Sequence, residues 1–100
     1  MPDVAAADNG SEFWIEGKIA RSGRVKFQPG QVPWLIAASM AGRRAWVVVG
    51  TTDGVSVYSA AAAHLLARRP LKEVHAEISF PHPVNYGLVW DWLSASSLRA

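Results

Sequence analysis

Residues 44–49, Arg-Ala-Trp-Val-Val-Val, constrain the fold of this chain most. They are rich in strand formers and nearly continuous in apolarity, the pattern of a buried central strand. The apolar run is far too short to span a membrane. Ahead of it, residues 3–7 are rich in small side chains, and Asp8-Asn9-Gly10-Ser11 is a strong turn signal. Asn-Gly readily supplies the positive φ angles of a tight hairpin. Residues 12–20 then read as a returning strand. Phe13, Ile15, Gly17 and Ile19 share one of its faces, and Glu12, Trp14, Glu16 and Lys18 the other. The first third is therefore expected to be a β-hairpin with one apolar and one charged face, its carboxylates turned outward.

A basic connection at 21–28 follows, and then a helix over 29–41. Val32, Leu35, Ile36 and Met40 form its apolar stripe. Pro29 suits the first turn, Pro33 sharpens or delays the start, and Gly42 is a suitable C-terminal cap. Beyond the central strand, Thr52-Asp53-Gly54 predicts a turn and 55–58 a second short strand. Residues 59–69 read as a helix with Ser59 as its N-cap, ended by Pro70. Residues 72–80 carry no clear signal, and 81–83 form an extended break. A last amphipathic helix is expected over 85–98, with Leu88, Val89, Trp92 and Leu93 inward. The order β-β-α-β-β-α, with a C-terminal α segment, predicts one α/β domain across 1–100, a small mixed sheet flanked by helices.

One hundred residues suffice for a single modest core. The five tryptophans should lie in that core or line a groove. With no cysteine, disulfides, thiolate metal sites and cysteine nucleophiles are excluded. Met1-Pro2-Asp3 lacks the basic start and apolar stretch of a signal peptide, so a cytoplasmic protein is expected. Net charge is only +2, but the charges are segregated. Lys18, Arg21, Arg24, Lys26, Arg43 and Arg44 occupy a stretch without acids, just after Asp3, Asp8, Glu12 and Glu16. That layout fits a metal site beside a phosphate-binding surface, or an ordinary solvated face.

Glu16 and Lys18 lie two apart on a strand, so their side chains leave the same face. A carboxylate and an ammonium beside a second carboxylate would suit a phosphodiesterase site. Carboxylates hold Mg²⁺ or Mn²⁺, which prefer oxygen ligands, and such ions activate water. The lysine adds fixed positive charge near the phosphate. Asp3, on the partner strand, is the natural second carboxylate. The plainer alternative for Glu-x-Lys is a cross-strand salt bridge.

Pro2-Asp3-Val4, Trp14-Ile15-Glu16-Gly17-Lys18, the basic 21–26 stretch, Pro29-Gly30-Gln31-Val32-Pro33-Trp34-Leu35 and the Gly-then-strand segment 41–49 together resemble the PD-(D/E)xK nuclease superfamily. Within it, the likeness is to small phage-type virus-type replication-repair nucleases, which are similar to Holliday junction resolvases. The likeness covers about the first sixty residues well and the tail loosely. It implies a restriction-endonuclease-like core whose opening helix is missing, truncated or supplied by another chain. By the same likeness Asp3 and Glu16 would be metal ligands with the Gly17 carbonyl as a third. Lys18 would be the catalytic lysine, and Gln31 the polar helix residue facing the site. Position 17 is glycine where the family more usually has a larger residue.

The expected function is thus a Mg²⁺- or Mn²⁺-dependent DNA endonuclease, with branched DNA as one substrate and a phage or prophage as one source. Arg21, Arg24, Lys26, Arg43 and Arg44 would contact phosphates. The alternative is a catalytically inert module of the same fold that binds DNA or a protein. Only the enzyme requires Asp3, Glu16 and Lys18 to converge. The apolar tail, with Tyr86, Trp90 and Trp92, suggests a homodimer; its aromatics would be core, dimer contacts or base-stacking surfaces. His64, His75 and His82 form no ligand motif.

Overall fold

In a computed structural model, which describes residues 4–8 and 11–98 and the side chains of 13–96, strand β1 (Val4–Asp8) pairs antiparallel with β2 (Ser11–Ile19). Val4 lies opposite Ile15 and Asp8 opposite Ser11, so two residues join the strands, as a tight hairpin requires. Those two, Asn9 and Gly10, are outside the described residues, as is Asp3. Strand β3 (Ala45–Thr51) lies parallel to β2, with Glu16 beside Val47 and Lys18 beside Val49. Parallel neighbours need a crossover. Residues 20–44 supply it and contain helix α1 (Gln31–Met40). Strands β4 (Gly54–Ser59) and β5 (Ile78–Pro81) add antiparallel, completing a five-stranded mixed sheet in the order β1-β2-β3-β4-β5. The expected α/β architecture is present, with the 44–49 run as its central strand.

Helix α1 begins two residues later than the sequence suggests. Gly30 takes φ 88° at the N-cap, so the chain reverses there and Pro29 stays outside the helix. Pro33 is tolerated in the first turn, where its missing N–H would find no helical acceptor. At the other end Gly42, at φ 77°, donates to the Ser39 carbonyl and Arg43 N–H to that of Ala38. This is a Schellman closure, for which glycine is the favoured residue.

The expected helix over 59–69 is split into a 3₁₀ turn at Ala60–Ala62 and α2 (Ala63–Arg68). Ser59 makes no side-chain cap bond. The run of alanines lets this tight turn pack closely, with Ala60 and Ala63 in the core. The ambiguous 72–80 stretch resolves into a 3₁₀ turn at Leu71–Glu73 and the edge strand β5, where Pro81 costs no central ladder bond. The turn into β4 requires glycine: at Gly54, φ 149°, a Cβ would collide with the Phe80 carbonyl. Helix α3 (Tyr86–Leu98) is capped by Asn85, whose Oδ1 accepts from Gly87 and Leu88 N–H.

Alternation along the strands sorts the apolar side chains into two cores. Leu35, Ala38, Val47, Val49, Tyr58 and Leu66 fill the layer between the sheet and α1 with α2. Phe13, Val57, Val89 and Leu93 fill the opposite layer under α3, where Trp92 meets Trp46 edge-on at 5.1 Å. The last helix thus covers the second face of the sheet within one chain. Leu88 departs from expectation: it is 54% exposed. Trp90, though partly exposed, sets its ring 5.4 Å from that of buried Phe13. None of the described helices is long and apolar enough to cross a membrane.

Candidate active site

Glu16 is the one fully buried carboxylate among the described residues, at 1% exposure. It sits on the α1 face of β2, next to Val47, beneath the first turn of α1. This corrects the expectation that the hairpin's charged face points to solvent. Residues 21–30 and α1 fold back over that face, so the charged stripe of β2 becomes an internal layer. A buried carboxylate requires polar partners, and they come from two directions. The Gln31 amide Nε2–H donates to Glu16 Oε2 at 2.9 Å. Lys18, two residues along the same face, holds its ammonium 3.7 Å from the same oxygen.

Gln31 ties the cluster together. Its Oε1 accepts from Lys18 Nζ and from the Gln28 backbone N–H, both at 2.7 Å. Two donors fix which end of the amide is oxygen, and the NH₂ end must then face Glu16. Sequence placed Gln31 at the start of a helix, and the family resemblance implied that it faces the site. The structure shows why it can reach: as the first residue of α1, 92% buried, it points down the helix start onto β2. Lys18 Nζ also lies 5.2 Å from the centre of the Phe27 ring, within cation–π range. The ammonium is thus held on three sides with its side chain 13% exposed.

Phe27 and the backbone of Gln28 were not legible as site residues. The available signal was alternation: Val25 is buried and Phe27 half-buried between exposed Arg24, Lys26 and Gln28, the period of an extended segment with one face inward.

The basic residues divide into two groups. Arg21 and Arg24 bracket a two-residue turn in which Ser22 and Gly23 both have positive φ (52° and 72°), and their backbones pair in both directions. This fixes the two arginines side by side. Arg24 Nη1 donates to the Arg68 carbonyl at 3.3 Å. With Lys18 and Lys26 they line a groove that opens beside the Glu16 cluster. Arg43 and Arg44 lie at the far end of α1, around a separate hollow shared with Trp14 and Gly42. Trp14 packs edge-on against Trp34 of α1 at 5.7 Å, under the following helix as expected.

Of the expected site residues, Glu16, Lys18 and Gln31 converge. Gly17 lies between the first two on the β2 backbone, paired in register with Val48. Asp3 is outside the described residues, but Val4, which follows it, pairs with Ile15, which precedes Glu16. Among the described residues no group of three or more His, Asp or Glu stands together as a metal-ligand set. Of the expected oxygen donors, the described residues hold the Glu16 carboxylate and the Gly17 carbonyl. Both are hard oxygen ligands, the type Mg²⁺ takes alongside several waters, with only one or two carboxylates required. His64 and His82 are exposed and bound to the backbone carbonyls of Ala61 and Thr51, away from this cluster.

Comparison with family models, with characterised proteins and with solved structures found no match to this chain.

Proposed function

We propose that this chain is a metal-dependent DNA endonuclease of the PD-(D/E)xK kind, similar to Holliday junction resolvases, with Mg²⁺ or Mn²⁺ as its ion. The observation that carries the reading is the convergence of Glu16, Lys18 and Gln31, fifteen residues apart at the ends, into one bonded cluster beside a basic groove. In this reading Glu16, Asp3 and the Gly17 carbonyl would hold the ion, which when bound would supply charge neutralisation at the phosphate and an activated water. Lys18 holds a positive charge at the scissile phosphate, in a site dry enough to strengthen it. Gln31 orients both side chains, and through Gln28 it couples the basic loop to them. Incubating labelled linear, flapped and four-way DNA with Mg²⁺, Mn²⁺ or EDTA tests the activity. Cleavage in metal and none in EDTA is expected.

A second reading has one observation in its favour. Glu16, Lys18 and Gln31 bond to one another, as a structural lock between β2 and α1 would. The chain would then be an inert module that binds DNA or a protein through the same groove. Metal titration separates the two: Mn²⁺ binding lost in an Asp3→Ala/Glu16→Gln double variant supports the enzyme, and no Mn²⁺ binding by the wild type supports the lock.

Phosphate contact by Arg21, Arg24 and Lys26 makes affinity salt-dependent. Replacing all three by alanine is expected to weaken binding of any sequence alike and to flatten the log–log salt slope by roughly two to three. An unchanged slope would move the phosphate contacts to Arg43 and Arg44. The proposal extends to a cytoplasmic, phage- or prophage-borne protein acting as a homodimer. Tyr86 and Leu88, each an exposed apolar side chain on α3, support self-association. Light scattering at micromolar concentration is expected to give twice the 10.8 kDa chain mass; a single-chain mass with and without DNA would remove the dimer.

A further inference from the structure

The groove beside the Glu16 cluster has a composition that phosphate binding alone does not explain. Its cations, Lys18, Arg21, Arg24 and Lys26, share the lining with apolar Val25, Phe27, Pro29, Val32 and Pro33. None of the described residues lining it is acidic. The wall at the start of α1 is poor in donors where such a helix end would ordinarily cradle phosphate. Pro33 has no N–H, and the amides of Gln31 and Trp34 are already given to the carbonyls of Gln28 and Gly30, at 3.1 Å each.

A duplex presents sugars and phosphates outward and keeps its bases stacked inside. Laid in this groove, it would satisfy the cations but set a charged backbone against apolar side chains, at a desolvation cost without return. A single strand presents both surfaces at once: phosphates to the cations, and unstacked base faces to the apolar side chains among them. We infer that this groove seats an unpaired nucleic-acid strand and delivers it to Lys18. The inference rests on the proposed nuclease site for its direction, since Lys18 belongs both to the groove and to the cluster. Binding itself needs only the groove.

The test is fluorescence anisotropy in EDTA, so that binding is read without turnover. The probes are an oligothymidylate of about 12 nucleotides, within the usual site sizes for single strands, its blunt duplex, an abasic strand of equal length, and the matching oligouridylate. The thymidylate is expected to bind about tenfold or more tighter than either the duplex or the abasic strand, since each lost base contact weakens binding several-fold. The Arg21→Ala/Arg24→Ala/Lys26→Ala variant, checked for an unchanged melting temperature, is expected to lose most of that binding. Equal affinity for the thymidylate and abasic strands overturns the inference, as does preference for the duplex or binding that survives the triple variant. The uridylate arm reads whether the strand is DNA or RNA. Strand binding without cleavage in Mg²⁺ would sink the nuclease reading and leave the groove standing. Cleavage without base-dependent binding would do the reverse.

Discussion

Glu16→Ala is expected to cost both the fold's stability and any activity. The carboxylate is 1% exposed and engages Gln31 and Lys18 at once. Truncation leaves a mostly buried ammonium without its counter-charge and a buried amide N–H without an acceptor, and it opens a hole beside Val47. Breaking a buried ion pair from one side costs about 3–5 kcal/mol. Lys18 keeps the Gln31 oxygen and the Phe27 ring, so the lower end applies. For a domain of this size each 1 kcal/mol moves the melting temperature by roughly 4–8 °C, so a drop of more than about 10 °C is expected in a thermal melt. Glu16→Gln separates the two effects, because it keeps the shape and an acceptor oxygen while removing the charge. It is expected to melt closer to wild type, yet to bind no Mn²⁺ in calorimetry and cut no DNA. Wild-type cleavage by Glu16→Gln would rule out Glu16 as a metal ligand, whatever the melt showed.

Lys18→Ala carries the second large effect. The ammonium stands 3.7 Å from the Glu16 carboxylate, and its donors are held by Gln31 and by the Phe27 ring. Its charge is therefore in place before substrate arrives, the condition under which a single charged donor is worth most in the transition state. Removing one such donor typically costs about 10²–10³ in turnover. A loss of that size is expected in single-turnover cleavage at saturating protein, with DNA affinity falling far less because Arg21, Arg24 and Lys26 remain. A rate within about twofold of wild type, worth only about 0.4 kcal/mol, would give Lys18 no role in catalysis and would favour the structural lock. Gln31→Ala is informative beside it. Gln31 touches Glu16, Lys18 and the Gln28 amide, so its loss should loosen the basic loop as well as the cluster.

Local chemistry made much of this molecule legible in advance. Residues 44–49 read as the central strand because five apolar side chains in a row fit only a position covered on both faces. Asp8 and Ser11 pair across two residues because Asn-Gly suits that turn. Period-two spacing put Trp14, Glu16 and Lys18 on one face, and the Gly42 closure of α1 needs only a residue that tolerates positive φ. These are properties of a few consecutive residues, and no distant contact overrides them.

What sequence could not supply was depth and distance. Glu16 reads as a surface charge on an amphipathic strand; it is buried because the crossover returns α1 over that face, and a parallel pairing of Glu16 with Val47, thirty-one residues later, is a tertiary event. Phe27 and Gln28 gain their roles from the same return. The six basic residues look continuous from Lys18 to Arg44, yet α1 separates Arg43 and Arg44 from the rest by its own length. Leu88 fits the inward stripe of an isolated helix, but it is exposed while Val89 and Leu93 carry the contact with the sheet. Local pattern marked most strands and helices and which side chains share a face on each, because those follow from backbone geometry; β5 and the split of the 59–69 helix did not show in it. Which face is buried depends on what the chain lays over it later, and it is that packing which joined a carboxylate, an ammonium and an amide into one site.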